Sequence, residues 1–323
     1  MSCRKVLFTS LALFLSLTLF TIPGSCKEFL TLGTAGSGGT WYYVGTGICK
    51  VVNQYLPEVK ITPEATAGGV ENVRAISKGK MPIAYTHLVD INSELNKTVK
   101  PSDFLLVLAG HPSVTHVSVP KNSPFNTTND AFKVKGLKMG VGEPGSAIQA
   151  QTKSFLAVFG LTFSDVKAAA LSQSEQVNAM KDGTIELAML GSGCPVSSVM
   201  DLASTTGIKI LEVPDDFFDK VKKIESSWIK FTIPAKTYAG IDRPIKTTAV
   251  PSFIIVKNGL DEDLVYKITK TILEHSEEIG QVHKAGLGYN LQNALRYTDI
   301  PVGYGIKFHP GAIKYYKEKG VWK

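Results

Sequence analysis

A repeat inside the chain constrains its fold more than any other feature. The segment "AISKGKMPIAY" (Ala75 to Tyr85) lies over "AMKDGTIELAM" (Ala179 to Met189) without a gap, so that Ala75, Gly79 and Ala84 fall on Ala179, Gly183 and Ala188 at a constant offset of 104. Upstream, "LTLGTAGS" from Leu30 is similar to "LKMGVGEPGS" from Leu137, with Gly33 over Gly140 and Ser37 over Ser146. The offsets there are 107 and 109, so the two copies differ by short insertions. Each copy reads as strand, Gly/Ser turn, helix, strand, a helix stopped at a glycine, and a further strand. Short apolar runs alternating with helical patterns predict an α/β lobe with a largely parallel sheet, built twice.

Two long apolar runs connect the copies. "FLLVLAGHPSVTHVSV" (Phe104 to Val119) leads out of the first copy, and "KTTAVPSFIIVK" (Lys246 to Lys257) follows the second, before helix-patterned sequence from Asp261 to Lys284. The chain is expected to enter a second lobe once and to return once. Lobe 1 is then 27–115 with 246–323, lobe 2 is 116–245, and the two crossover strands form a hinge. So few crossing residues suit closure of two lobes around a ligand.

The stretch "LGTAGSGGTWYYVGTG" (32–47) is dense in glycine at the place where the first strand meets its helix. Ligands of open α/β sheets lie at the carboxyl ends of the strands. Unpaired amides at a helix start attract a carboxylate or phosphate, and glycine lets the backbone come close. "VGEPGSA" is the counterpart in the other copy. A lone Gly/Ser turn is usually only a helix cap; the equivalent placement of two favours binding. Trp41, Tyr42 and Tyr43 would supply apolar walls with polar tips.

The first 26 residues have the layout of a secretory leader: Arg4 and Lys5, an apolar run from Val6 to Phe20, then Pro23, Gly24, Ser25 and Cys26. The run is too short and too broken by hydroxyl residues for a membrane anchor. Retention of Cys26 as a lipidated first residue is the other processing route, and Pro23-Gly24-Ser25 fits it poorly. The expected location is periplasmic. Cleavage lowers the formal charge from +7 to +5, spread over segments such as "EEIGQVHK", which argues against a nucleic-acid partner. Cys49 and Cys194 are too few for a disulfide framework and read as small apolar residues.

Enzyme signatures are missing. "GTAGSGGT" lacks the lysine of a phosphate loop, Trp41 stands where a dinucleotide fingerprint needs glycine, and there is no GxSxG elbow. His275 and His283 lie eight apart on a predicted helix, about 80° out of register, so they do not form a metal pair. Neither a catalytic residue, a metal site nor a cofactor is expected. His87, at the end of a strand, is the one histidine placed to reach a cleft.

At these residues the chain resembles the TAXI group of TRAP transporter solute receptors. The resemblance rests on "FLTLGTAGSGGTWYYVG", "EATAGGVENVRAISKGKMPIAY", "KMGVGEPGSAIQAQTKSFLAVFGL", "GSGCPVSSVMDLA" and "FHPGAIKYYKEKG", over nearly the whole mature chain. It implies a two-lobed periplasmic binding protein of type II-like α/β fold, a small carboxylate ligand such as glutamate or 2-oxoglutarate, and TRAP membrane subunits as partners. It also implies ligand contacts at Ser37, Gly38, Gly39, Thr40 and Tyr42, at Gly68 and Gly69, and at Gly145, Ser146 and Ala147, to which the residue reading adds His87. The sequence departs from the usual pattern at Ala147-Ile148-Gln149, Pro82-Ile83-Ala84 and Gly191-Ser192-Gly193. Those changes would reshape the pocket, so glutamate does not follow.

The expected function is therefore a non-catalytic exported receptor that closes on a small organic acid and delivers it to an ion-driven TRAP transporter. The alternatives are a receptor for an ATP-driven importer and, from another class, an exported transferase or lyase on the same fold.

Overall fold

A computed structural model describes residues 27–95 and 97–322, and the expected leader over 1–26 lies outside them. The chain begins with β1 (Glu28–Gly33), α1 (Thr40–Tyr55), β2 (Val59–Glu64), α2 (Gly69–Ser77), β3 (Ile83–His87), α3 (Leu88–Glu94) and β4 (Phe104–Ala109). It crosses into β5 (Ser113–Pro120), α4 (Thr128–Ala131), β6 (Lys138–Gly140), α5 (Ala147–Ala157), β7 (Lys167–Ala169), α6 (Gln173–Lys181) and β8 (Leu187–Ser192). There follow α7 (Ser197–Thr205), β9 (Ile208–Ile210), α8 (Asp215–Ile224), β10 (Ile229–Ile233) and β11 (Ile245–Val250). After β12 (Ser252–Lys257) the chain ends in α9 (Glu262–Glu274), α10 (Ser276–Val282), α11 (Asp299–Gly303) and α12 (Pro310–Glu318).

The repeat is structural. One sheet runs β2-β1-β3-β12-β4, and the other runs β10-β11-β5-β8-β6-β7 with β9 beside β5. In the first, Gly33 pairs with Ala84 across parallel β1 and β3; in the second, Gly140 pairs with Ala188 across parallel β6 and β8. These are the glycines and alanines that the sequence repeat superposes. Gly79 and Gly183, which follow α2 and α6, both take left-handed backbone, at φ 67° and 69°. Side chains other than glycine rarely enter that region, which explains why each helix stops there.

The sheets are mixed rather than largely parallel. β12 lies antiparallel between β3 and β4, because it enters the first sheet from the second lobe. β5 is likewise antiparallel to β8 and β11. Sheet membership puts the crossings at 110–112 and at 251, so 113–115 and 246–250, expected in lobe 1, are strand residues of the second sheet. Packing divides the chain at the same points: one core takes its buried residues from Leu30–Ala109 and Phe253–Tyr316, and the other clusters take theirs from Val114–Val250.

The crossings are tied to each other. Gly110 N–H donates to the Ser252 carbonyl at 2.7 Å, and the Ser252 hydroxyl donates to the His111 carbonyl at 2.6 Å. In α1, Val44, Ile48, Val51 and Val52 recur at helical spacing and are buried. Each such side chain contributes about 1.5–3 kcal/mol to holding the start of α1 on its sheet.

Candidate functional site

Four helices begin at one place. The loops after β1, β2, β6 and β7 lead into α1, α2, α5 and α6, and the residues at those four helix starts line a cavity of about 430 Å³ between the lobes. The first lobe contributes Ala35 to Gly39, Trp41, Ala65 to Gly68 and His87. The second contributes Ser113, Gly142, Glu143, the start of α5, Leu171 to Gln176, Gly191 and Ser192. Each helix start carries roughly half a positive elementary charge, so the four fields add over the cavity.

The two lobes treat their helix starts differently. In the second, the Ser146 and Ser172 hydroxyls accept from Gln149 N–H and Glu175 N–H, as serine caps do. In the first, α1 and α2 follow Gly39 and Gly68, which have no side chain to cap with, and the first amide of α1 turns instead to Ser192 of the other lobe. The offset of 104 that relates the repeats takes Gly68 to Ser172, so equivalent caps have been built in two ways. Gly68 holds φ 120°, and its N–H donates to the Thr66 hydroxyl at 3.1 Å.

Asn72 braces this side. Its buried amide donates to the Thr34 carbonyl at 2.8 Å and to the Tyr85 carbonyl at 2.9 Å, linking the turn after β1 to β3. Thr66 joins the same brace through the Thr34 carbonyl at 3.1 Å.

His87 closes the floor. Its Nδ1 lies 2.9 Å from Asp90 Oδ2, and a carboxylate only accepts, so the proton sits on Nδ1. Asp90 Oδ2 also accepts the His87 amide at 2.9 Å. The Trp41 ring stacks on the imidazole with centroids 4.4 Å apart. His87 Nε2 is buried, lines the cavity and has no protein partner. Gly69 is required here because a Cβ at that position would run into the Asp90 carboxylate.

Of the residues expected to bind ligand, Ser37, Gly38, Gly39, Gly68, His87, Ser146 and Ala147 line the cavity. Thr40 does not: it is buried between the lobes, its amide donates to Ser192 Oγ at 2.9 Å, and its side chain packs on Gly193. Tyr42 is turned away by the 100° step of the helix, and its ring meets Tyr43 edge-on. Gly69 faces Asp90, and Gly145 faces a separate groove bounded by α2, α3 and α5. The expected aromatic wall is thus Trp41 alone of the three.

Sequence reasoning missed Glu143, Gln173, Gln176 and Ser192. The repeat could have found the glutamines, because the offset that superposes the copies carries Gly69, at the start of α2, onto Gln173. Among the described residues the lining contains no lysine or arginine. Arg74, in α2, is held by Glu94 through Nε and a second nitrogen, both at 2.7 Å. Cys49 and Cys194 are free; burial pushes the Cys49 thiol up to about 12.

Among solved structures, the fold is similar to the alkanesulfonate-binding protein SsuA of Xanthomonas axonopodis pv. citri bound to MOPS, at TM-score 0.51 and 14% identity over 92% of this chain and 94% of that one. It is similar to PhnD1 of Prochlorococcus marinus in complex with methylphosphonate, at TM-score 0.55 and 11% identity over 86% and 99%. A binding protein component of an ABC phosphonate transporter from Pseudomonas aeruginosa aligns at TM-score 0.52 and 11% identity over 80% and 79%. These likenesses establish a two-lobed α/β periplasmic binding protein fold. The first and third of these are named as binding proteins.

The resemblance to TAXI receptors is corrected by the family that matches, and the expectations of a TRAP partner and a carboxylate ligand that rested on it are withdrawn. The matching family model covers residues 32–320, from β1 to the end of α12. The chain belongs to the NMT1-like family.

Proposed function

We propose that this protein is an exported solute-binding receptor of an ATP-driven importer, and that it takes a small organic oxyanion of the sulfonate or phosphonate kind. The convergence of four helix starts on one inter-lobe cavity carries the reading, because a helix start has more first-turn amides than the single side-chain bond that each of α1, α5 and α6 receives can satisfy. Such amides recognise an oxyanion without a cationic side chain, and among the described residues the lining has none. The stacked Trp41, with Ala35, Ala67 and Ile148, suits an organic tail rather than an inorganic ion. The proteins of similar fold that take alkanesulfonate and methylphosphonate support the ligand class, and the ABC phosphonate component supports the partner.

A thermal-denaturation screen of the mature chain tests the ligand class, since a ligand of the native state raises the melting point by mass action. A concentration-dependent rise with alkanesulfonates or alkylphosphonates is expected. No rise with any of them would overturn the reading. The partner is tested by recovering the tagged protein from solubilised membranes: an ATP-binding subunit should accompany it, and a permease without one would contradict the assignment.

A further inference from the structure

We propose that the turn Glu225–Ser227 is a catch that holds the two lobes together on the far side of the ligand cavity from the hinge, so that Asn92 and Glu225 set the closure equilibrium without touching the ligand. The inference does not depend on the ligand class above.

The turn joins α8 to β10 in the second lobe and meets two separate elements of the first. Asn92 Nδ2, on α3, donates to Glu225 Oε1 and Oε2 at 3.1 and 3.0 Å. The hydroxyls of Ser226 and of Tyr304, just beyond α11, meet at 2.9 Å. Among the described residues the side chains of Asn92, Ser226 and Tyr304 make no hydrogen bond within their own lobes. Side chains that served one lobe alone would find partners inside it; these are satisfied only across the gap.

Both halves of the catch are held in place. Trp228, fully buried against Phe155 with ring centroids 5.2 Å apart, anchors the turn, and Ser227 N–H donates to Glu225 Oε1 at 3.1 Å. Two residues from Asn92, Glu94 takes the Arg74 guanidinium and so ties α3 to α2. Glu225 is itself buried, and the cations that border its groove are used elsewhere. Arg74 goes to Glu94, Lys97 donates to the Ser93 carbonyl at 2.8 Å, and Lys153 lies 5.6 Å over the Phe163 ring. The carboxylate therefore relies on N–H donors, and parting the lobes takes Asn92 away from it. A hydrogen bond to an ionised acceptor is the stronger kind, so this contact weighs more in closure than the one between Thr40 and Ser192.

Position adds leverage. A Cβ on Gly193 would touch Thr40 and His111, which puts the Thr40–Ser192 bond beside the crossing at 110–112. Ser192 and Ser146 line the ligand cavity, and Ser146 also lines the groove that holds Asn92, Glu225 and Tyr304. The cavity thus lies between the hinge-side bond and the catch, and a rotation about the hinge moves the catch furthest.

Hydrogen–deuterium exchange of the ligand-free mature chain tests the catch at a distance, at the Thr40 amide, whose bond to Ser192 breaks whenever the lobes part. Asn92→Ala should raise the Thr40 exchange rate roughly threefold or more, as the loss of hydrogen bonds to a carboxylate provides. Asn92→Asp, which sets a like charge against Glu225, should raise it further. The amides of Val51 and Val52, inside α1 of the first lobe, should exchange as in the wild type. Unchanged Thr40 exchange in both variants would overturn the catch. So would a rise shared equally by Val51 and Val52, because α1 itself would then have loosened. Either result leaves the oxyanion reading standing.

Discussion

Thr40 N–H and Ser192 Oγ lie 2.9 Å apart, so the first amide of α1 in one lobe is capped by a serine at the end of β8 in the other. This bond exists only while the lobes touch. Asn92 and Glu225, whose amide and carboxylate meet at 3.0 and 3.1 Å, form a second crossing contact. Closure therefore completes the helix start that faces the ligand.

Ser192→Ala removes the acceptor and leaves the Thr40 amide buried. We expect ligand affinity to fall by about 0.5–1.5 kcal/mol, roughly two- to tenfold, with little change in the melting point of the ligand-free protein. Calorimetric titration of the variant checks this. An unchanged Kd would place the bond outside the closure equilibrium.

The brace around Asn72 is internal to the first lobe, and its loss should act on stability as well. Asn72→Ala removes the side-chain donor to the Tyr85 carbonyl and one of the two side-chain donors to the Thr34 carbonyl in a buried site, at a cost of about 1–3 kcal/mol. Denaturant titration should show that loss together with weaker ligand binding. A variant of native stability that also binds normally would show that the turn after β1 needs no brace.

Acid should destabilise the protein through two buried histidines. Burial pushes His111 down to about 3 and His116 down to about 4, from an ordinary 6.5. The unfolded chain takes up protons near pH 6.5 where the folded chain does not. Their contribution is thus complete above that pH and falls toward pH 4 by about 1.4 kcal/mol per unit for each group. Denaturation at pH 7.5 and 5.0 measures the fall, and His116→Gln should make it shallower. Equal stability at the two pH values would contradict the burial argument.

Glu143 has the opposite sign. Its raised pKa means that the folded chain holds the proton longer than the unfolded chain, so stability is present at low pH and declines as pH rises through the folded value. Glu143→Gln in the ligand-free protein should gain over the wild type at pH 8 and match it at pH 4. Parallel pH profiles would contradict the rise that burial, and after it the charges of Glu175 and Glu71, give this carboxyl.

Much of this was legible in sequence. The superposition of Gly33 on Gly140 and Ala84 on Ala188 anticipated two lobes, because parallel neighbours of one βαβαβ unit require the same small residues at the same register. The runs around His111 and Pro251 marked the crossings, but a strand that changes sheets has no compositional break, so the boundaries came out a few residues inside β5 and β11. The antiparallel β12 was hidden for a similar reason: a buried strand reads as a continuous apolar run in either direction. At the site, the glycine turns announced themselves, whereas Gln176 looked like any polar residue on a helix. Its place at the cavity depends on Gly140, where a Cβ would collide with its carboxamide. Tyr42 was misplaced because three successive aromatics cannot share one face of a helix.

The most direct test of the central claim is calorimetric titration of the mature chain with a sulfonate or phosphonate that raises its melting point, repeated with Gly68→Ala. Gly68 holds a backbone conformation at φ 120° that alanine rarely adopts, and a Cβ there would come into contact with the Ala147 backbone of the other lobe. The account predicts saturable one-to-one binding that weakens by an order of magnitude or more in the variant. Binding that is equally tight in a folded Gly68→Ala protein would put the ligand somewhere other than these helix starts.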